Sequence, residues 1–271
     1  MTTDTPAPAS RAALVTAARK LPEVTAMFWL LKTVAVTLGE TAGDLVGITF
    51  GFGYAATGVL FLAFFVAVVT AQMRARNYRP ALYWSVILGT SMVGTEVSDL
   101  LNRGLGHGSA QHGIGYAAGA LLLSAVLAAV FVIWWRTGQT RDVENITGRT
   151  GESLYWAAIL ISNTLGTSSG DWLSDDTGLG FRGAFLVIAG ILLMLYILYR
   201  TTTVSTTVLF WLAFILTRPL GAAGGDFLTK PAADGGLGWG TTGSSAALGA
   251  VLVLLIADQA RRLRAARSVH Q

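Results

Sequence analysis

Long apolar runs alternate with short polar breaks along the whole chain, and the runs come in pairs. They lie near residues 24–46, 53–73, 82–101, 116–135, 154–173, 182–200, 206–228 and 240–259. Each is close to the ~20 residues that an α-helix needs to cross a bilayer core of ~30 Å. No run alternates polar and apolar residues as a half-buried strand would, and in lipid the backbone must bond within its own segment, so the runs predict helices. The stretch from Val59 to Val69 is apolar around its full circumference, the signature of a helix that faces lipid.

The pairs are copies of one unit. Four aromatic pairs recur: Phe28-Trp29, Tyr83-Trp84, Tyr155-Trp156 and Phe210-Trp211. Ten residues after each Trp comes Gly39, Gly94, Gly166 or Gly221, and five residues later Asp44, Asp99, Asp171 or Asp226. A small residue precedes each Asp: Gly43, Ser98, Gly170 and Gly225. A Gly-apolar-Gly-aromatic turn then follows in each copy, beginning at Gly51, Gly113, Gly178 and Gly236. The unit reads helix, glycine-rich turn, helix. The tryptophans are 55, 72 and 55 residues apart, as a duplicated duplication with a longer middle linker would leave them. Two spans per unit give every copy the same orientation, so the repeats are parallel.

Composition agrees with this reading. The 271 residues are 53% hydrophobic and 13% charged, with a mean hydropathy of +0.57. A soluble domain carries about 25% charged residues. The absence of cysteine excludes disulfides, thiolate metal sites and cysteine nucleophiles. The basic pI of about 9.6 does not argue for nucleic acid, because the positive charge sits in short segments between apolar runs. Arg11, Arg19, Lys20, Arg74, Arg76, Arg79, Arg136, Arg141, Arg149, Arg200, Arg261, Arg262, Arg264 and Arg267 fall on one side, against Arg103, Arg182 and Lys230 on the other. Positive charge stays inside, which predicts a multi-pass protein of the cell membrane with both termini cytoplasmic.

The expected fold is therefore an all-α integral membrane protein, with eight transmembrane helices from four parallel helix-turn-helix repeats and approximate internal symmetry. The expected layout is a cytoplasmic tail (1–22), repeat 1 (23–80), repeat 2 (81–136), a cytoplasmic linker (137–152), repeat 3 (153–201), repeat 4 (202–260) and a basic cytoplasmic tail (261–271). The segment Arg11 to Lys20 is read as an unstructured tail or a short interfacial helix. On the repeated Trp, Gly and Asp spacing, the chain resembles the bacterial membrane proteins made of four tandem copies of a repeat of unknown function. Each such copy has two spans and a characteristic tryptophan, and the resemblance runs from about Thr25 to Asp258. It implies the architecture and carries no chemistry.

Candidate chemistry lies in the spans, where ionisable groups are costly. Each Asp lies ~22 Å along its helix from the Trp, at 1.5 Å per residue. Glu40 precedes Asp44 by four residues and Glu96 precedes Asp99 by three, spacings that share a helix face. If the four first helices line one axis, Glu40, Asp44, Glu96, Asp99, Asp171 and Asp226 converge and bind protons, a cation or basic side chains. Glu40, Asp44, Glu96 and Asp99 are the expected metal ligands, and hard oxygens favour magnesium, calcium, manganese or sodium. The structural reading of the four Asp is that they cap backbone donors at the turn. Lys32 either snorkels to the inner interface or serves as an internal ion pair or gate. Arg218, deeper and followed by Pro219, is the expected counter-charge. The aligned Ser91 and Asn163 predict a hydrated level beside it. Trp29, Trp84, Trp156 and Trp211 suit the interfacial belt, and Gly39, Gly94, Gly166 and Gly221 are structural, with Gly pairs spaced by four for close helix packing. His107 and His112 sit in the outer turn of repeat 2 as solvated residues or, alternatively, a metal site or pH sensor, and Asp175, Asp176 and Asp234 make the outer turns acidic, either merely solvated or attracting cations.

No phosphate loop, metalloprotease helix or catalytic triad spacing is present, so neither enzyme nor cofactor is expected. The expected function is a secondary transporter of a small cation, most plausibly a divalent metal exchanged against protons, with lipid as the only other partner and no nucleic acid. The competing expectation is a non-transporting membrane scaffold. Topology is directly testable because the chain lacks cysteine. A single cysteine at Ser109 should react with an impermeant thiol reagent in intact cells, and one at Thr147 should not; the opposite pattern would invert the orientation.

Overall fold

The computed structural model describes residues 20–104, 113–140, 146 and 148–268, without the side chains of Tyr54, Ala266 and Arg267. Arg11, Arg19, His107, His112 and Arg141, and with them most of the expected N-terminal tail, lie outside the described residues. Among the described residues there are eight long helices and no strands: α1 (Ala26–Asp44), α2 (Gly53–Arg74), α3 (Pro80–Arg103), α4 (Tyr116–Arg136), α5 (Arg149–Asp171), α6 (Gly180–Thr201), α7 (Thr206–Thr229) and α8 (Gly240–Ser268). Five of them, α2, α4, α6, α7 and α8, are long and apolar enough to cross a membrane. The helices α1, α3 and α5 are rich in buried polar residues, which lowers their hydropathy.

The helices end where the sequence provides a stop, with two extensions. Helix α5 begins at Arg149 and α8 runs on to Ser268, so both continue through residues read as linker or tail. The first turn of α5 is anchored: Glu152 is buried and pairs with Lys20 at 2.6 Å. After Asp44 and Asp171, α1 and α5 widen into single π turns, Leu45–Thr49 and Trp172–Asp176. Helices α3 and α7 instead end on the returning turn. Ile114 and Gly115 donate to the carbonyls of Leu101 and Asn102, and Leu237 and Trp239 to those of Phe227 and Leu228. These bonds satisfy helix carbonyls that would otherwise lack donors. The turn glycines serve two purposes. Gly51 takes a positive φ of 74°, which a side chain disfavours. Gly113 instead lies against the Asn102 carbonyl, where a Cβ would collide with backbone.

The repeats close into a ring. Helix α1 packs on α3, α3 on α5, α5 on α7, and α7 on α1. Each second helix packs on the first helix of the next copy: α2 on α3, α4 on α5, α6 on α7, and α8 on α1. The outer helices turn large apolar side chains outward, among them Val59, Leu121, Leu186 and Val253.

Glycine sets the spacing of the inner ring. A Cβ on Gly39 would collide with the Ser91 side chain, and one on Gly166 would meet Arg218 and Pro219. On Gly94 it would lie 3.0 Å from the Thr164 nitrogen, and on Gly221 2.7 Å from a Val36 methyl. In all four cases the neighbour is at or beside the position seven residues past the next Trp, so one contact recurs around the ring.

At the tryptophan end, the first ring of each pair meets the Trp of the next copy. Phe28 lies 5.5 Å from Trp84, Tyr83 5.5 Å from Trp156, Tyr155 6.1 Å from Trp211, and Phe210 5.7 Å from Trp29. This corrects the interfacial-belt expectation. Trp84, Trp156 and Trp211 are buried, because the aromatic pairs pack together and close one end of the bundle; Trp84 donates to Gln259 at 2.9 Å.

Replacing Gly94 with Ala should destabilise the protein by about 1–3 kcal/mol, since rigid backbone opposes the new methyl. At Gly190, where a Cβ meets nothing within 4 Å, the same change should be neutral or stabilising, by up to about 1 kcal/mol. Thermal unfolding of both purified variants in detergent reads the contrast.

Candidate functional site

The inner helices build a column of polar groups along the bundle interior. Above the aromatic closure, Lys32 of α1 is fully buried and reaches across to Asn163 of α5 at 3.3 Å, with its ammonium 4.0 Å from the centre of the Phe214 ring. Asn163 in turn donates to Thr90 at 2.8 Å. Lys32 therefore does not snorkel, and among the described residues it forms no ion pair with a carboxylate: it lies on the inward face of its helix, where an amide and an aromatic face hold it. The level read as hydrated is bonded within the protein, with Ser91 donating to the Val36 carbonyl at 3.2 Å.

One turn higher, Arg218 of α7 is fully buried and pairs with Glu40 of α1 at 2.7 Å. It also donates to the Thr95 hydroxyl of α3, and Thr95 bonds Glu40 at 3.2 Å. Glu40, Thr95 and Arg218 come from three different repeats. Removing one member of a buried pair leaves the other charge uncompensated, which is far more costly than the pair itself. Helix α7 runs unbroken through Pro219, and Gly166 leaves room for the Arg218 stem and the Pro219 ring.

The Asp layer lies above. Oxygens of Glu40, Asp171 and Asp226, all buried, lie within 4.8 Å of one another. This trio differs from the expected ligand set. Asp44 and Asp226 share Lys230, at 3.8 and 3.4 Å, and Asp99 pairs with Arg103 at 3.5 Å. Arg103 also bonds the Tyr116 hydroxyl. Partial burial pulls the Lys230 ammonium down, but Asp226 and Asp44 outweigh it and hold the group above its ordinary value. Asp175, Asp176 and Asp234 are exposed on the outer turns.

Glu96 is placed apart from the trio. Glu40 is eleven residues past its Trp and Glu96 is twelve past its own. One residue turns a side chain by about 100° on a helix of 3.6 residues per turn, so Glu96 points into the contact between α1, α2 and α3, beside Gly43 and Gly47. The residue that shares the Glu40 register in repeat 2 is Thr95, which joins Glu40 and Arg218.

Charge counting along the sequence places Arg103 and Lys230 only among the outer-loop charges. Each follows its Asp by four residues, the spacing of a helical ion pair, and that signal was legible. Thr95 had no comparable signal. Neither Asp44 nor Asp171 caps the π turn that follows it. The free groups at a helix C-terminus are carbonyls, which a carboxylate cannot satisfy, and its charge opposes the helix dipole there.

The arrangement defines an all-helical protein of four tandem two-helix repeats, with ionisable groups enclosed by its inner helices. The chain belongs to the family described as a repeat of unknown function, DUF347, whose unit matches at residues 27–78, 82–140, 154–204 and 209–265. No curated protein and no solved structure matches it.

Replacing Arg218 with Leu should cost about 3–5 kcal/mol by leaving Glu40 buried and unpaired. Adding Glu40→Leu to that variant should recover much of the loss. A double-mutant cycle by denaturant unfolding in detergent measures this coupling; additive losses would exclude a direct pair.

Proposed function

We propose that all eight helices cross the cell membrane, that the four repeats are related by approximate fourfold pseudosymmetry, and that both termini are cytoplasmic. Within that frame the protein is a secondary transporter of a small cation, a divalent metal exchanged against protons. The observation that carries the reading is the convergence of Glu40, Asp171 and Asp226 from three repeats within 4.8 Å. Three hard oxygen donors at that separation suit magnesium, calcium or manganese.

Charge balance supports the exchange. The interior brings together Glu40, Asp44, Asp99, Asp171 and Asp226, and Arg218, Lys230 and Arg103 answer three of these charges. One divalent cation and two protons carry the same charge, so alternating between them at the trio leaves the interior electrically unchanged. Arg218 acts as a tethered cation that holds Glu40 when the metal leaves. The cation enters from the turn side, past Lys230 and Arg103, since the aromatic closure and the Lys32 layer seal the opposite end. Close packing along the interior favours a carrier over a water-filled channel.

Transport is favoured over a purely structural role because acidic groups at helix C-termini oppose the dipole. Among the described residues, backbone donors of the turns after Asp99 and Asp226 go to helix carbonyls. The test is flux in proteoliposomes with a panel of divalent cations and an imposed pH gradient. Wild type should move one of them with counterflow of protons, and Glu40→Gln and Asp226→Asn should each reduce the rate at least tenfold. No movement of any cation, or folded variants that transport as fast as wild type, would sink the proposal.

A further inference from the structure

The interior pairs do not account for Glu96. It is 2% exposed, and its Oε2 is buried without a hydrogen-bond partner. Across from it, on α2, Thr57 is fully buried and its hydroxyl is likewise unpartnered. The two face one space. A Cβ built on Gly47, in the π turn after α1, would lie 3.5 and 3.8 Å from the two Glu96 oxygens and 3.6 Å from the Thr57 hydroxyl. Three oxygens from α2 and α3 therefore converge on a point that glycine leaves open.

Packing alone does not call for this carboxylate. The residue twelve past the Trp is Thr41, Glu96, Ser168 and Ala223 in the four copies. Where the slot is neutral, small groups fill it. Ser168 bonds Ser98 at 2.8 Å, and Thr41 accepts a bond from Ser245 at 3.0 Å. In repeat 2 a carboxylate occupies the slot, and among the described residues no basic side chain forms an ion pair with it. A buried carboxylate without a counter-charge is strongly disfavoured.

We propose that Glu96 and Thr57, facing each other across Gly47, form a second cation site, separate from the Glu40–Asp171–Asp226 trio and taking a small monovalent cation such as sodium. Carboxylate and hydroxyl oxygens are hard ligands suited to such an ion. Asp99, Asp44 and Glu40 lie near Glu96 but are paired with Arg103, Lys230 and Arg218, so the one unpaired carboxylate balances one positive charge. The site joins α1 and α2 of repeat 1 to α3 of repeat 2, so occupancy stiffens a contact between the helices that carry Glu40 and Asp99. Its use as a driving-ion site rests on the transporter reading; its existence as a binding site does not.

The test uses full-length protein in detergent without divalent cations. Sodium chloride should raise the melting temperature in a saturable way over choline chloride or potassium chloride at equal ionic strength, as a ligand bound to the folded state must. Glu96→Gln and Thr57→Val should each abolish that increment, Thr57→Ser should retain it, and Glu40→Gln should leave it unchanged. Equal shifts in sodium, potassium and choline would overturn the proposal, as would a sodium shift that survives Glu96→Gln. A melting temperature that follows pH but not sodium would assign Glu96 to a proton and also overturn it. Should the variants not fold, binding of radioactive sodium to wild type, displaced by cold sodium but not by choline, decides the question. Sodium binding with no divalent flux would refute the carrier reading and leave this site standing.

Discussion

The close approach of the four inner helices is the constraint on which the other features depend. At Gly39, Gly94, Gly166 and Gly221 each helix leans on the next so tightly that a methyl group would meet its side chains or backbone. The contact fixes distance and register together. It brings the residue seven past one Trp beside the residue eleven past another, which is how Arg218 reaches Glu40 and Thr95. Had the helices been held apart by side chains, a charged group at that level would need water or lipid headgroups to satisfy it. Here the partner is already in place.

The second helices depend on the same ring. Each leaves its own first helix and packs on that of the next copy, so no repeat is a closed hairpin that buries its own face. A single unit would expose Lys32, Glu40 or Arg218 to an apolar surrounding. The polar groups are tolerated only because four units close around them, which ties the presence of the charges to the completeness of the assembly.

The four copies are structurally alike and chemically unequal. Val36, Ser91, Asn163 and Arg218 share one position, and Glu40, Thr95, Thr167 and Ala222 share another. One level therefore holds a single guanidinium and a single carboxylate, from repeats 4 and 1. Duplication supplied the frame, and substitution within equivalent positions supplied the polarity. The Asp residues keep all four copies acidic at the turn end, against the helix dipole, and Arg103 and Lys230 offset part of that charge four residues on.

The order of the helices, their lengths to within a few residues except in α8, the repeat and the positions of the close-packing glycines were all legible in the sequence, because they follow from periodicity and spacing along one chain. So was the prospect that Arg218 would answer a carboxylate, since a guanidinium that deep needs one. The grouping of charges was not legible. Glu40 and Glu96 each share a helix face with the Asp that follows, four and three residues on, yet a rotation of one residue sends the first to the Asp171–Asp226 pair and the second to Thr57. Lys32 looked near enough to the end to snorkel, and the tryptophans looked like an interfacial belt, but the ring turns both inward. Contacts within a helix repeat every 3.6 residues and can be counted from sequence. Which face of each helix turns toward the axis depends on how four helices pack at once, and only the tertiary structure decides that.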